Sequence, residues 1–334
     1  MFEAPSNVTT MYKHAMSDCD VMDHEKLKVF RQKREEWIAW LKGDDPHSIW
    51  RQVNRLLWDY VLFRTINDLR RVAVEHPSPN VGFNPDVLRL LDAGFATTQA
   101  TAVRRLTDKP NSGPKKGVLS LRRLIEDIKA HREVITREVY VAYDGLPYDL
   151  EPAQQAWLQQ QLASGEEAFS GWLPTTGQNA WHTAEMVHRN FDRLAGVAPA
   201  DRSRGDLILP RWFDYLDEKL KACDGVRKFV DKFIAHAADP ASREGLTQDQ
   251  TALTLDRLNT CHKAIYQVAA FIYGRLLWVG SYGAVPVPQY NHLENLDKCW
   301  VAPEEQHCAR DYWNRNLAVV EAWAHESLWP DESA

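Results

Sequence analysis

Apolar residues recur along this chain at three- and four-residue spacing, with charged residues between them and few of the alternating runs that make strands. The pattern predicts a nearly all-α protein. A first helix is expected over about 22–42, where Leu27, Phe30, Trp37 and Leu41 oppose the polar run "RQKREE", and Gly43 with Pro46 ends it. A second, long helix is expected from Pro46 and Ser48 to about Glu75, carrying Trp50, Val53, Leu57, Tyr60, Val61 and Phe63 and stopped by "HPSPN". Asn84-Pro85 opens a third, and the Gly/Pro/Lys-rich loop "TDKPNSGPKKG" separates it from "SLRRLIEDIKAHREVITREVY". Residues 141–176 read as an irregular surface insertion with one short Gln-rich helix near 152–163. Further helices are expected at 178–195, about 209–237 and 247–279, with a last Trp-bearing helix from about Pro303 to Trp329. Segments 46–76 and 247–279 should be among the longest, and Trp50, Trp58, Phe271 and Leu276 should be mostly buried.

Composition adds limits rather than a function. The 334 residues are 44% hydrophobic and 26% charged, ordinary for a packed globular chain, while thirteen tryptophans call for aromatic anchors between helices. A formal charge of -6 advertises no nucleic-acid partner, so any basic surface has to be a local patch. Five cysteines, odd in number and without CxxC spacing, point to reduced thiols. The N-terminal residues lack a basic stretch followed by an apolar run, and nothing approaches the ~20 apolar residues of a membrane span, so a cytoplasmic protein with no membrane partner is expected.

Motifs for cofactor chemistry are missing: there is no P-loop, no G-x-G-x-x-G and no G-x-S-x-G, and no cofactor is expected. His182 and His188 are six residues apart and cannot share a helix face as a zinc pair would. Cys299, His307 and Cys308, even with His292, match no finger spacing, so no metal site is expected.

The segment "KFVDKFIAHAADPASR" carries the main candidate chemistry. On a regular helix Val226, Phe229, Val230, Phe233, Ile234 and Ala237 form one core stripe, and His236 falls at its boundary with Lys232 one turn earlier on the same edge. Arg227 projects to the opposite edge. One reading is a half-buried histidine near a helix C-terminus, where the dipole favours its protonated form. The other is a catalytic histidine.

"VDKFIAHA" resembles the C-terminal motif of HEPN-like proteins, the higher-eukaryote and prokaryote nucleotide-binding helical bundles, whose nuclease members carry an R-x(4–6)-H arrangement. Alignment puts the family's polar position on Asp231 and its arginine on Val230, which cannot replace it. "ATAVRRLTDKP…VLSLRRLIEDI" and "LDRLNTCHKAIYQVAAFIYGRLL" are similar to the abortive-infection-type branch of that superfamily. The resemblance implies an all-α HEPN-like bundle with an N-terminal helical pair and peripheral insertions. It divides the chain into a flexible tail at 1–20, a bundle at 21–282 and a C-terminal extension at 283–334.

Two functions follow from it. One is an interaction or immunity module associated with bacterial phage defence, which kept the scaffold and lost the arginine. The alternative is a metal-independent ribonuclease or nucleotide-modifying effector with His236 as general acid/base, Asp231 at the polar position, and Lys232 or Arg104 stabilising phosphate. Arg104, Arg105, Lys115, Lys116, Arg122 and Arg123 are the candidate phosphate or RNA-binding patch, whose bland counterpart is a solvated helix face. The partners implied are RNA or a nucleotide, a protein encoded in a defence operon, and a second copy that brings two His236 helices together.

Overall fold

The computed structural model describes residues 11–76, 82–109, 117–164, 180–236, 238–247, 251–280, 283, 285–296, 298 and 307–323. They form an all-α protein: no strand occurs among the described residues, and Thr136 and Leu207 make one isolated antiparallel bridge. The helices are α1 (His24–Lys42), α2 (Ile49–Glu75), α3 (Pro85–Thr107), α4 (Leu121–Ala130), α5 (Arg137–Ala142), α6 (Leu150–Ser164), α7 (Ala180–Ala195), α8 (Arg211–Leu220), α9 (Asp224–Phe229), α10 (Pro240–Arg243), α11 (Leu255–Phe271) and α12 (Cys308–Trp323). Two compact units divide the chain at Pro286, and α12 belongs to the second. No helix among the described residues is long and apolar enough to cross a membrane.

Side-chain caps start many of these helices, which is why the breaks fall where polar residues precede apolar runs. Asp23, Asn84, Ser120, Thr136, Asp239 and Thr254 each accept a hydrogen bond from a backbone N–H in the first turn of the following helix. Ser120 and Thr136 divide the run expected as one helical stretch from Ser120 to Tyr140 into α4 and α5. Thr254 starts α11 at Leu255, eight residues later than the periodicity of 247–279 implies.

In the first unit α11 packs against α2, α3 and α8, while α5 packs on α7 and α1. The predicted stripe of α1 is buried as expected: Leu27, Phe30, Trp37 and Leu41 are all at or below 1% exposure. Trp50 lies between Tyr266 and Tyr273 of the α11 segment, with centroids at 6.1 and 6.0 Å, so α2 and α11 are joined by an aromatic stack. Trp50 and Leu276 are buried, whereas Trp58 and Phe271 are half-buried. Residues 141–142, expected in a surface insertion, instead end the deeply buried α5, where Val141 and Ala142 have no exposed surface. Nor is all of 1–20 a tail. From Met11 onward the chain is held: Lys13 and His14 donate their N–H groups to Asp144, and Cys19 and Val21 are buried. Gly145 meets this segment at φ 82°, and a Cβ there would sit 2.4 Å from the His14 ring, so only glycine fits.

α5 is short, and its ends show how buried backbone is satisfied. Its first N–H groups donate to the carbonyls of Asp206 and Arg204 and, at Val139, to the Thr136 hydroxyl. Arg137, wholly buried, places Nε 2.7 Å from Asp206 Oδ2 and Nη1 2.7 Å from Asp192 Oδ1, and its guanidinium covers the Phe191 ring. Arg202 completes the cluster by clamping Asp192 and Glu185. At the far end of α11 a π-helical turn, Ile272–Leu276, leaves the Arg275 carbonyl outside the helical ladder, and Tyr140 Oη and Asn190 Nδ2 both donate to it.

Candidate functional site

The helix that bears the candidate histidine is not regular. After α9, residues Val230–Ile234 form a π-helical turn in which the Ala235 N–H donates to the Val230 carbonyl, and His236 lies beyond that turn. A π turn holds about one more residue than an α turn, so the register that would place six apolar residues on one stripe slips within it. Val226 and Val230 stay buried, but Phe229, Phe233 and Ile234 are only half-buried. For the same reason Lys232 is not one α-turn before His236 on a shared edge. His236 itself is exposed, which corrects the expectation of a half-buried residue, and it makes no hydrogen bond or ion pair among the described residues. His236→Ala is therefore expected to leave the thermal midpoint unchanged within error, as a melting curve followed by circular dichroism would show.

Asp231 has a partner the sequence did not assign. Arg104, at the C-terminal end of α3, donates from Nε to Asp231 Oδ1 at 2.6 Å, which holds its guanidinium charged more firmly still. That contact begins a ribbon of alternating charge. Arg104 Nη1 reaches Asp108 at 3.4 Å, Asp108 faces Arg227 at 3.8 Å, and Arg227 pairs with Asp224 at 3.2 Å. Asp224 then meets Arg122 at 2.9 Å, and Arg122, 3% exposed, meets Asp217 at 3.2 Å. Three arginines from α3, α4 and α9 thus stand among four aspartates.

The candidate cationic patch is largely absorbed by the fold. Arg104 and Arg122 each contact two carboxylates, and Arg123 lies over the Trp40 ring at 4.1 Å while donating to the Val118 carbonyl. Arg105 alone of the four is exposed. Lys115 and Lys116 lie outside the described residues. A groove of about 340 Å³ between α4 and α8 adjoins the ribbon, but its charged lining mixes Lys109, Lys129 and Lys221 with Asp214, Asp217 and Glu218. Such a lining selects for neither sign of charge.

Parts of this ribbon were legible. Arg104 with Asp108 and Asp224 with Arg227 stand at the four- and three-residue spacings that meet on a helix. The links from Arg122 to Asp217 and Asp224, and from Arg104 to Asp231, join residues about a hundred positions apart, and only packing reveals them.

The remaining candidates are held locally. No disulfide joins Cys19, Cys223, Cys261 or Cys308 to another described residue, and Cys299 lies outside the described residues. His188 is buried with Nε2 3.0 Å from the Tyr148 carbonyl, and burial lowers its pKa, while His182 stacks on Trp181. No group of three or more His, Cys, Asp or Glu side chains able to hold a metal ion occurs among the described residues. Comparison of the chain with family models, with curated proteins and with solved structures finds no match.

Proposed function

We propose that this chain is a non-catalytic interaction or immunity module on a HEPN-like helical scaffold, of the kind associated with bacterial phage defence. The family and the defence role rest on the sequence resemblance. The observation that carries the non-catalytic reading is the pairing of the arginines: Arg104 and Arg122 already contact two carboxylates each. A phosphodiester approaching either guanidinium would meet these carboxylates, whose charge repels it. His236 makes no hydrogen bond among the described residues that would orient its ring, whereas a general base is normally held by a second side chain. The partner in this reading is a protein.

The second reading, a metal-independent ribonuclease or nucleotide-modifying effector, is favoured by one contact. Arg104 brings a guanidinium to Asp231, next in sequence to Val230, where the motif lacks its arginine. Incubation of the purified chain with RNA in the presence of a chelator separates the two. No cleavage is the expected result. Cleavage that disappears in both His236→Ala and Arg104→Ala, with melting unchanged in the histidine variant, overturns the non-catalytic reading.

A further inference from the structure

Two cysteines 38 positions apart meet in the core of the first unit. Cys223 ends the 3-10 turn Lys221–Cys223 that joins α8 to α9, Cys261 lies on α11, and neither has any exposed surface. The side chains cross. Cys223 Sγ lies 3.9 Å from the Cys261 carbonyl oxygen, and Cys261 Sγ lies 3.6 Å from the Ala222 carbonyl oxygen, so each sulfur sits against the backbone of the other's element. A single buried cysteine is a small apolar filler, but two that face one another from different elements set two sulfurs where one bond can join them. The pair is also unequal. When one thiol ionises, the Cys223 S–H donates to the Cys261 thiolate, which lowers the pKa of Cys261 and raises that of Cys223. Arg257, one turn before Cys261 on α11, adds a positive charge on the same face, and its guanidinium lies beside Gly225, two residues after Cys223.

We propose that Cys223 and Cys261 are a peroxide-sensitive dithiol, whose reversible disulfide staples the corner between α8 and α9 to α11. The Cys261 thiolate attacks one peroxide oxygen, the O–O bond breaks, and the leaving hydroxide takes a proton to become water. Cys261 is then a sulfenic acid. The Cys223 sulfur attacks the Cys261 sulfur, the S–O bond breaks, and the departing hydroxide carries away the Cys223 proton as a second water. Two thiols are thereby oxidised to one disulfide while one peroxide is reduced to two waters. The oxidant is a peroxide because both sulfurs are fully covered, and a molecule little larger than water reaches them with a smaller opening than a bulky disulfide reagent needs. The bond closes the chain between Cys223 and Cys261 into a loop that contains α9, the π turn at Val230–Ile234, His236 and α10. Oxidation would therefore restrain the segment that carries the candidate histidine at both of its ends.

Treatment of the reduced, folded full chain with hydrogen peroxide, followed by alkylation, digestion and mass spectrometry, tests the proposal. The expected product is one cross-linked peptide pair holding Cys223 and Cys261, lighter by two hydrogens than its two parts and separated again by dithiothreitol. In Cys223→Ser the Cys261 sulfenic acid has no thiol to resolve it and is expected to be trapped by dimedone on unfolding, whereas Cys261→Ser should leave Cys223 a thiol. The bridged chain should melt several degrees above the reduced one, because loop closure restrains the unfolded chain. Cys223 and Cys261 that both remain alkylatable after peroxide, or a bridge from either to Cys19, Cys299 or Cys308, overturns the proposal. An unchanged or lower melting midpoint of the bridged chain overturns the staple. Should a serine variant fail to fold, the peptide map of the unaltered chain still decides the question. RNA cleavage is read separately, so failure here leaves the functional reading untouched.

Discussion

Arg137→Ala is expected to lower the free energy of unfolding by about 3–5 kcal/mol, the cost of breaking a buried ion pair by removing one partner. The size follows from where the guanidinium sits. It has no exposed surface, and it holds Asp206 and Asp192 at 2.7 Å each. After its removal Asp192 keeps Arg202 at 2.8 Å, but Asp206, 13% exposed, loses its only ion-pair partner among the described residues. The Arg137 Nη1 contact to the His188 carbonyl and the packing over the Phe191 ring disappear as well. Lysine is not a substitute, because one ammonium cannot span the two carboxylates that the planar fork reaches together. Urea unfolding followed by tryptophan fluorescence gives the measurement. A loss below about 1 kcal/mol, the scale of an exposed pair, would mean that the cluster is solvated in solution and not a buried brace.

His262→Leu is expected to stabilise the chain in mild acid by about 3 kcal/mol, and to remove part of the fall in stability between pH 6.5 and 4. His262 is 2% exposed on α11, its ring edge-on to Tyr60 at 4.8 Å, and neither ring nitrogen finds a hydrogen-bond partner among the described residues. Burial lowers its pKa from 6.5 to about 4. The sign follows from the order of the two values. Above pH 6.5 the imidazole is neutral both folded and unfolded, and pH has no effect through this group. Below it the unfolded chain takes up a proton that the folded chain refuses until about pH 4, so stability declines across that window. His188, also buried and lowered, adds to the same decline, which is why the comparison is between the His262 variant and the unaltered chain. A pH profile of the denaturation midpoint with equal slopes in the two proteins would refute the assignment.

What the chain determines locally was readable along it. The stripe of α1 and the Asn84-Pro85 start of α3 act within a few positions, so spacing and residue type suffice to place them, whereas the Thr136 cap, which ends the stretch expected as one helix, was not read. The helical class rests on the same short-range periodicity, and the described residues bear it out. Local reading failed wherever a contact from a distant segment competes. The stripe from Val226 to Ala237 presumes an α repeat, and the π turn at Val230–Ile234 breaks it. Arg122 read as a free cation because both of its aspartates lie about a hundred residues further on, and the Arg104 pair with Asp231 is as distant.

The apolar residues of α2 around and beyond Phe63 and of α3 before Gln99 show the same divide from the other side. Val61 reads as core, and Val72, Leu90 and Leu91 continue the same helical spacing, yet all are exposed. A sequence states which face of a helix is apolar, because that depends on a repeat of 3.6 residues. How far the rest of the molecule reaches along that face depends on the lengths and positions of other helices. Here α11 begins only at Leu255 and sets its aromatic rings against Trp50 and Tyr60, in the inner half of α2. Periodicity along the chain thus determined the helices and their apolar faces. Tertiary packing alone decided which charges were neutralised, because an ion pair requires two side chains in the same place, and which apolar faces stayed open, because burial requires a neighbour to cover them.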